Sequence, residues 1–168
     1  PRLDYTDGNC PSLLLEPQST NLVTYSQDFN NAYWLKQSGG TGSNPIVTSN
    51  QGISPDGTNT ADRVVFNSGG TSSGSNHSTL ASSLISSSIL NNRSVYLKSF
   101  DGSNYDLFIG STAPNAAGIT VTITSEWQRF DVNHTPSSST TNIYVSTRAL
   151  FGGTPSNTAD VLVWGAQL

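Results

Sequence analysis

The fold is indicated first by Asp160-Val-Leu-Val-Trp-Gly-Ala-Gln-Leu168 and by an earlier run, Asn21-Leu-Val-Thr-Tyr-Ser-Gln-Asp-Phe-Asn-Asn-Ala-Tyr-Trp34. Both contain β-branched and aromatic residues, which fit the pleated surface of a strand. We predict that they are the closing and opening strands of one closed β-domain. Nothing in the sequence between them has a convincing catalytic pattern.

Many short runs between these two segments also have the alternation of β-strands. In Ser94-Val-Tyr-Leu-Lys-Ser-Phe100, the valine and leucine are predicted to share one face, and the tyrosine and lysine the other. The run from Ile119 to Thr124 alternates apolar residues with threonine, as in an antiparallel strand with one wet face. Runs repeated about every 8–12 residues, with turn residues between them, predict a sandwich or barrel. The predicted strands are residues 21–25, 33–37, 45–48, 61–66, 78–81, 94–100, 105–109, 119–124, 127–132, 142–147 and 161–164, and residues 80–90 are predicted as either a strand or a short helix.

The composition favours one domain that is neither helical nor disordered. A chain of 168 residues is long enough for one core, and only 11% of its residues are charged. Abundant Ser, Thr and Asn favour turns and strand faces over helices. The net charge is −4 and no Lys/Arg cluster occurs, so we expect no nucleic-acid partner and, without a long apolar run, no membrane insertion. The sequence starts with Pro1 rather than Met, and we expect it to be a piece of a longer protein.

Catalytic and metal-binding motifs are weak. Gly70-Thr-Ser-Ser-Gly74 matches the G-x-S-x-G pattern of serine hydrolases, but it lies in a Ser- and Gly-rich stretch where the pattern arises by chance. His77 and His134 are the only histidines, and neither has a carboxylate at metal-ligand spacing. Most acids fall in predicted turns or at strand ends, where Asp caps the backbone. We therefore expect no enzymatic activity and no metal site.

Aromatic residues are the better candidates for a binding site. Their flat faces can stack on the C–H faces of sugar rings, and their amphipathic character suits interfaces. We predict a carbohydrate-binding groove that combines tyrosines with Asn and Gln side chains. For each tryptophan core packing is favoured over stacking on a sugar, and Trp127 and Trp164 in particular are predicted in the core. The predicted sugar-binding residues are Tyr33, Trp34, Tyr96 and Tyr105.

Residues 1–20 differ from the rest and are predicted to form an N-terminal arm or edge strand, with residues 21–168 as the sandwich. Ser12-Leu-Leu-Leu-Glu16 is a short apolar run, and Pro17 ends any ladder that it forms. An apolar edge strand can pair with a neighbouring chain. The single cysteine cannot form an internal disulfide, so it is either a buried thiol or bonded to a second chain. The predicted assembly contacts are Cys10, Leu13, Leu14 and Leu15.

The two runs quoted first resemble the beginning and end of the jelly rolls of carbohydrate-binding modules of the family 4 and family 9 type. Those modules open with Asn-Leu, a turn, a Phe followed by an acid, and then a Trp, to which Asn21-Leu, Phe29 and Trp34 are similar. Trp127-Gln-Arg-Phe-Asp-Val132 resembles a further strand of these modules. The resemblance implies an all-β, two-sheet antiparallel jelly-roll β-sandwich, which is the fold class that we predict.

A second resemblance covers nearly the whole chain. Cys10-Pro-Ser-Leu-Leu-Leu-Glu-Pro-Gln18, Ser54-Pro-Asp-Gly-Thr58 and Val163-Trp-Gly-Ala-Gln-Leu168 are similar to a module common in tailed-phage virion proteins, often tail-fibre or other structural proteins. The first of these strings is the most specific. The resemblance implies a location outside the cell or on the surface of a virion.

The resemblance to carbohydrate-binding modules also bears on calcium. Many such modules hold a structural calcium ion through an acid after the early Phe and an Asp in the final strand. Here Asn30 follows Phe29, and the final strand has Trp164-Gly165 instead. A structural calcium ion is therefore disfavoured, and we expect no cofactor.

Together these observations predict a non-enzymatic structural module of an extracellular or virion-surface fibre or appendage, with cell-surface glycans as a ligand to be tested. Its other partners would be copies of itself or other fibre subunits. One alternative is a self-assembling filament subunit that is joined by its N-terminal arm and binds no glycan. A polysaccharide-acting enzyme is the least favoured alternative.

Overall fold

The computed structural model describes residues 2–4, 12–14, 20–86, 89–111, 117–136 and 140–168. Within these ranges the chain forms strands and turns, and no helix in them is long and apolar enough to cross a membrane. In chain order the strands are β1 (Arg2–Asp4), β2 (Ser12–Leu14), β3 (Trp34–Gly39), β4 (Ser43–Gly52), β5 (Ala61–Asn67), β6 (His77–Ser82), β7 (Ile85–Ser86), β8 (Asn91–Ser99), β9 (Tyr105–Ser111), β10 (Ala117–Ile123), β11 (Gln128–His134), β12 (Thr140–Thr141), β13 (Tyr144–Ser146) and β14 (Thr158–Gln167).

Two five-stranded antiparallel sheets form the sandwich, which confirms the predicted jelly-roll fold. The first sheet has the strand order β10-β9-β13-β6-β3, and the second sheet has the order β11-β8-β14-β5-β4. The chain crosses repeatedly from one sheet to the other, as expected for a jelly roll. Each sheet therefore buries one face against the other and turns its second face outward.

Strand β14 lies at the centre of the second sheet and shows how the alternation builds the core. Val161 and Val163 are fully buried and face the first sheet, and Val163 lies opposite Leu97 of β8. Leu162 points the other way, but the chain at Gly52 covers it, because a Cβ atom at Gly52 would lie 2.5 Å from Leu162 Cδ1. Full burial of such a side chain stabilises the fold by roughly 1.5–3 kcal/mol.

The alternation predicted for β8 is confirmed. Val95 and Leu97 are buried between the sheets, whereas Tyr96 and Lys98 are partly exposed on the outer face. The core between the sheets is continuous. It combines large side chains from both sheets with those of Val23 and Phe29, which lie in the segment before β3. Its largest buried hydrophobic members are Trp34, Phe29, Phe66, Leu80, Leu97, Leu107, Ile109, Ile123 and Ile143.

The prediction that residues 21–25 form an opening strand is wrong. This segment is a turn-rich approach to β3, and only one backbone bond, from Leu22 N to Leu168 O at 2.9 Å, joins it to the last residue of the chain. The side chain of Asn21 strengthens the junction by donating to Ala166 O at 3.1 Å and accepting from Leu168 N at 3.1 Å. Buried Val23 anchors the segment in the core, so its apolar residues serve packing without a ladder.

The two short strands near the start pair with each other rather than with a sheet of the sandwich. Strands β1 and β2 are antiparallel, with Leu3 opposite Leu13 and Arg2 opposite Leu14. Cys10 and Leu15, two of the predicted assembly contacts, lie outside the described residues. The short helix that was one alternative for residues 80–90 is replaced by the end of β6 and by β7, which pairs with β12.

Candidate functional site

The outer face of the first sheet carries a second, smaller cluster of buried side chains. Phe108 lies between Leu107 and Ile109 of the core, so it points outward from the sandwich. Tyr144 of β13 points outward for the same reason, and the two form a cluster with Ala81. We call the outer surface of this sheet, together with the loop 149–153 beside it, the front face.

Two buried rings form the floor of the front face. Phe108 is 0% exposed and Tyr144 is 3% exposed, and their ring centroids lie 6.0 Å apart in an edge-on arrangement. The ring of Phe108 leans over Gly118 on the neighbouring strand, where a Cβ atom would lie 2.3 Å from Phe108 Cζ. Glycine at this position therefore lets the ring lie flat on the sheet, and Leu150 packs against the same cluster.

A row of polar groups continues from these rings across the front face. The hydroxyl oxygen of Thr79 lies 3.1 Å from the phenolic oxygen of Tyr144 and 2.6 Å from Ser146 Oγ. His77 Nδ1 lies 3.1 Å from the same threonine oxygen. Burial, and secondly the positive charge of Arg148, lower the pKa of His77, so its ring is neutral at neutral pH. The row is uncharged, but Thr79 and Ser146 are 0% exposed and Tyr144 is 3% exposed, so only His77 at its end is partly open to solvent.

Phe151 is the most exposed aromatic residue on this face. Its side chain is 64% exposed, and its ring centroid lies 5.9 Å from that of buried Phe108. Its backbone has a φ of 51°, a left-handed conformation that costs a non-glycine residue roughly 1 kcal/mol or more. The flanking loop is tied down by bonds from Arg148 Nε to Gly74 O at 2.8 Å and from Gly153 N to Leu150 O at 3.0 Å.

The rim of the front face supplies further polar groups. Thr122 Oγ1 donates to Asp106 Oδ1 at 2.6 Å, and this pair lies one row from Phe108 and Thr120 in the register of β9 and β10. At the other edge of the sheet, exposed Gln37 lies opposite Thr79. An exposed ring, a partly exposed neutral imidazole, and amide and carboxylate groups on one surface provide both stacking and directional hydrogen bonds.

The structure does not bring the four predicted sugar-binding residues together. Trp34 is 1% exposed in the core, and its indole N–H donates to Tyr25 O at 2.8 Å. Tyr33 lies edge-on against it and is partly buried, which raises the pKa of its hydroxyl. These contacts give both residues a packing role.

The other two predicted residues lie on different sheets and different faces. Tyr96 is on the outer face of the second sheet, where its ring lies 5.5 Å from that of Trp164. Tyr105 packs against the core between the sheets, and its hydroxyl donates to Asp101 Oδ2 at 2.8 Å. A single groove containing both tyrosines is therefore not formed. The aromatics of the front face were not among the predicted site residues.

Only one of the three tryptophans is fully buried. Trp34 is buried, whereas Trp127 and Trp164, both predicted in the core, are only partly buried. Each of these two tethers its indole N–H outside the core, to Ile53 O at 2.9 Å and to Thr60 Oγ1 at 3.1 Å respectively. They hold the segment between β4 and β5 against the second sheet.

The region in which the family resemblance implies calcium is organised around a lysine. Lys36 Nζ donates to the carbonyl oxygens of Asn30 at 2.9 Å and Asn31 at 3.0 Å. The carboxylate of buried Asp62 accepts backbone N–H bonds from Phe29 at 2.8 Å and Asn50 at 3.0 Å. Among the described residues, no group of three or more His, Cys, Asp or Glu side chains is placed to bind a metal ion. The donor set therefore does not fit a calcium ion, because an ammonium group already takes the carbonyl oxygens.

A cavity of about 510 Å³ opens at the end of the sandwich, where residues 20–22 meet the last residues of β14. We call it the end cavity. Its wall combines apolar side chains with amides and one arginine. It lies away from the front face, since its residues come from the second sheet and from the segments that flank the sandwich strands. The lining residues are Thr20, Asn21, Leu22, Ile89, Leu90, Asn91, Asn92, Arg129, Gln167 and Leu168.

Comparison with known proteins identifies relatives in fold only. No protein-family model matches the chain, and no curated protein matches it in sequence. The module TmCBM61, solved in complex with β-1,4-galactotriose, has a TM-score of 0.56 at 12% identity, over 89% of this chain and 97% of that one. The family 11 carbohydrate-binding module of the cellulosomal cellulase Lic26A-Cel5E of Clostridium thermocellum has a TM-score of 0.52 at 13% identity, over 84% and 91% of the two chains.

A phage protein contains a similar fold. The enzymatically active domain of tailspike protein 4 of bacteriophage CBA120 has a TM-score of 0.51 at 11% identity, over 88% of this chain but only 21% of that one. These identities establish a shared jelly-roll architecture. They carry no site residue from one chain to another.

Proposed function

We propose that this chain is a non-catalytic glycan-binding module and that the front face is its binding surface. The fold supports the proposal, because solved carbohydrate-binding modules share it over most of their length. The surface supports it too, because an exposed aromatic ring and several accessible polar side chains lie on one face. This combination suits a ligand with apolar C–H faces and hydroxyl groups at its edges.

Phe151 is the central residue of the proposed binding surface. A phenyl ring that is 64% exposed adds little to the core, and its left-handed backbone works against the stability of the loop. Strained backbone of this kind concentrates at ligand-binding sites. The ring lies against buried Phe108, and the accessible polar side chains of the same face are those of His77, Gln37 and Thr122. A chain of sugars stacked on the ring would meet these groups.

The chemistry of the accessible polar groups favours a neutral oligosaccharide. The hydroxyl group of Thr122, the amide of Gln37 and the neutral ring of His77 each donate and accept hydrogen bonds. The two charged groups near them, Asp106 and Arg148, have opposite signs and engage Thr122 and the carbonyl oxygen of Gly74. A strongly anionic or cationic polymer would gain little from such a surface.

A glycan array with the purified protein tests the proposal, followed by titration calorimetry with the best ligand. Phe151→Ala should weaken binding about tenfold or more, because a stacked ring is worth at least about 1.4 kcal/mol at the centre of an interface. Phe100→Ala is the matched control. This phenylalanine is also partly exposed, at 40%, but its ring lies under the guanidinium of Arg63 on the second sheet, away from the front face. No binding above background would reject the proposal, and equal weakening by both variants would reject the front face as the site.

We further propose that the module serves at an extracellular or virion surface, as part of a fibre or appendage. The tail-fibre-like sequence strings and the presence of a similar fold in a phage tailspike support this assignment. A role in presenting a binding surface also agrees with the sequence prediction that no enzymatic site is present. Immunogold labelling of particles or cells that produce the protein would test the location, and label confined to the cell interior would contradict it.

The N-terminal arm supports a second role, in assembly with copies of itself or with other fibre subunits. Strands β1 and β2 pair only with each other among the described strands, so their outer edges face no strand of the sandwich. Such edges can accept a strand from a neighbouring chain. Deletion of residues 1–20 should abolish any oligomer seen by light scattering while the sandwich stays folded. Oligomers that persist in the deletion variant would rule out the arm as the connector.

A further inference from the structure

A buried arginine lies between the two sheets, away from the front face. Arg93 of β8 is 0% exposed and is among the largest fully buried side chains. Its Nε donates to Asn142 O at 3.0 Å, and its Nη2 donates to Thr141 Oγ1. Its Nη1 is buried and has no hydrogen-bond partner.

The positive charge of this arginine has no counterion among the described residues. The ion pairs between those residues involve Arg63 with Asp160 and Arg129 with Asp131, and neither includes Arg93. Burial lowers the pKa of Arg93 to about 10, which still leaves the guanidinium charged at neutral pH. An unpaired buried charge is costly, and an arginine cannot escape the cost by releasing its proton.

A second polar group lies beside the arginine on the neighbouring strand. In the register of β8 and β11, Arg93 lies opposite Val132, and His134 is two residues further along on the same inner face. Diagonal neighbours of this kind are about 7–8 Å apart, within reach of long side chains. His134 Nε2 is buried and also lacks a hydrogen-bond partner, and the charge of Arg93 contributes to lowering its pKa.

We propose that Arg93 Nη1 and His134 Nε2 bind a small monovalent anion of chloride size between the two sheets. One negative charge would balance the guanidinium, and the neutral imidazole would donate its Nε2–H as a second hydrogen bond. The end cavity of about 510 Å³ lies beside this position, because its wall includes Asn91. Asn91 precedes Arg93 by two residues on the same face of β8 and lies opposite His134.

Thermal unfolding at constant ionic strength tests the anion site. Replacing gluconate stepwise by chloride or bromide should raise the Tm of the intact chain by roughly 2–4 °C, because a ligand of the folded state adds its binding free energy to stability. The Arg93→Met variant should show no halide-dependent rise. Arg63→Met is the control, since Arg63 lies on the outer face of the second sheet, where it pairs with Asp160, and it should keep the full rise.

Two further measurements decide the question if Arg93→Met fails to fold. Crystals grown with bromide should show an anomalous scattering peak within hydrogen-bond distance of Arg93 Nη1. An NMR titration should show that chloride raises the pKa of His134 and leaves that of His77 unchanged, because only His134 would face the bound anion. A flat halide series, or a water molecule alone at this position in the bromide crystals, would overturn the proposal.

Discussion

The ring of Phe151 lies 5.9 Å from the ring of Phe108, although one side chain is 64% exposed and the other is fully buried. The buried ring rests on Gly118 and belongs to the floor of the front face. The exposed ring of Phe151 therefore packs against a fully buried ring as well as being positioned by its own loop. This pair couples the interior of the sheet to a surface that can stack on a ligand.

Replacing Phe151 by glycine should separate stability from binding. Glycine adopts a positive φ without strain, and this relief offsets the lost contact with Phe108. We expect the free energy of unfolding in urea to change by less than about 1 kcal/mol, while glycan affinity falls about tenfold or more. A loss of several kcal/mol on unfolding would instead mean that Phe151 acts as a core residue.

The buried tryptophan should behave in the opposite way. Trp34→Phe removes the indole bond to Tyr25 O and part of the buried volume, at a cost of about 1–3 kcal/mol. Glycan affinity of the folded protein should stay within twofold of wild type, about 0.4 kcal/mol, because the indole does not reach the front face. Measuring both quantities on one preparation checks this, and a selective loss of affinity would restore Trp34 to the binding site.

Calcium should not stabilise this module. Because Lys36 donates to the carbonyl oxygens of Asn30 and Asn31, calcium gluconate in halide-free buffer, or EDTA, should leave the Tm of the wild-type protein unchanged. Lys36→Met should lower the free energy of unfolding by about 1 kcal/mol through the loss of two charge-assisted bonds at a partly exposed site. Lys98→Met on the outer face of the second sheet is the control and should change it little. A rise in Tm with calcium in the wild-type protein would contradict this account.

Stability should fall as the pH drops below neutral. Burial lowers the pKa of His77 and of His134 below the ordinary value of 6.5, so the unfolded chain binds protons more readily than the folded one. The stabilisation is complete above that value and is lost as the pH falls toward the folded pKa of each ring. Urea unfolding at about pH 7.5 and about pH 5 measures the effect.

The two histidines contribute separately to this pH dependence. His77→Gln and His134→Gln should each remove part of the fall in stability, and the double variant should remove most of it over this range. An unchanged pH slope in the double variant would show that other groups titrate there.

The alternating sequence pattern was enough to predict the sandwich, because a residue's place on a strand determines which face it occupies. The run at β8 shows this, since its valine and leucine are buried and its tyrosine and lysine are not. The pattern failed at residues 21–25, where the apolar Val23 packs into the core without a partner strand. Apolar residues alone do not distinguish a strand from a well-packed loop.

The front face could not be predicted in the same way, because it depends on which strands become neighbours. Phe108 and Tyr144 are 36 residues apart in sequence and meet only because β9 and β13 pair. The sequence did contain one local signal, since Phe151 stands beside Gly152 and Gly153 in a turn next to a strand. An aromatic residue within such a turn indicates a ring held outside the core.

The junction of Asn21 with Leu168 has a mechanical consequence. A pulling force applied between these two residues would act on three hydrogen bonds, from Leu22 N to Leu168 O and between Asn21 and residues Ala166 and Leu168. They would open one after another under a small load, before either sheet is strained. The sandwich would therefore stay folded at loads that already separate the segment at Asn21 from the end of β14.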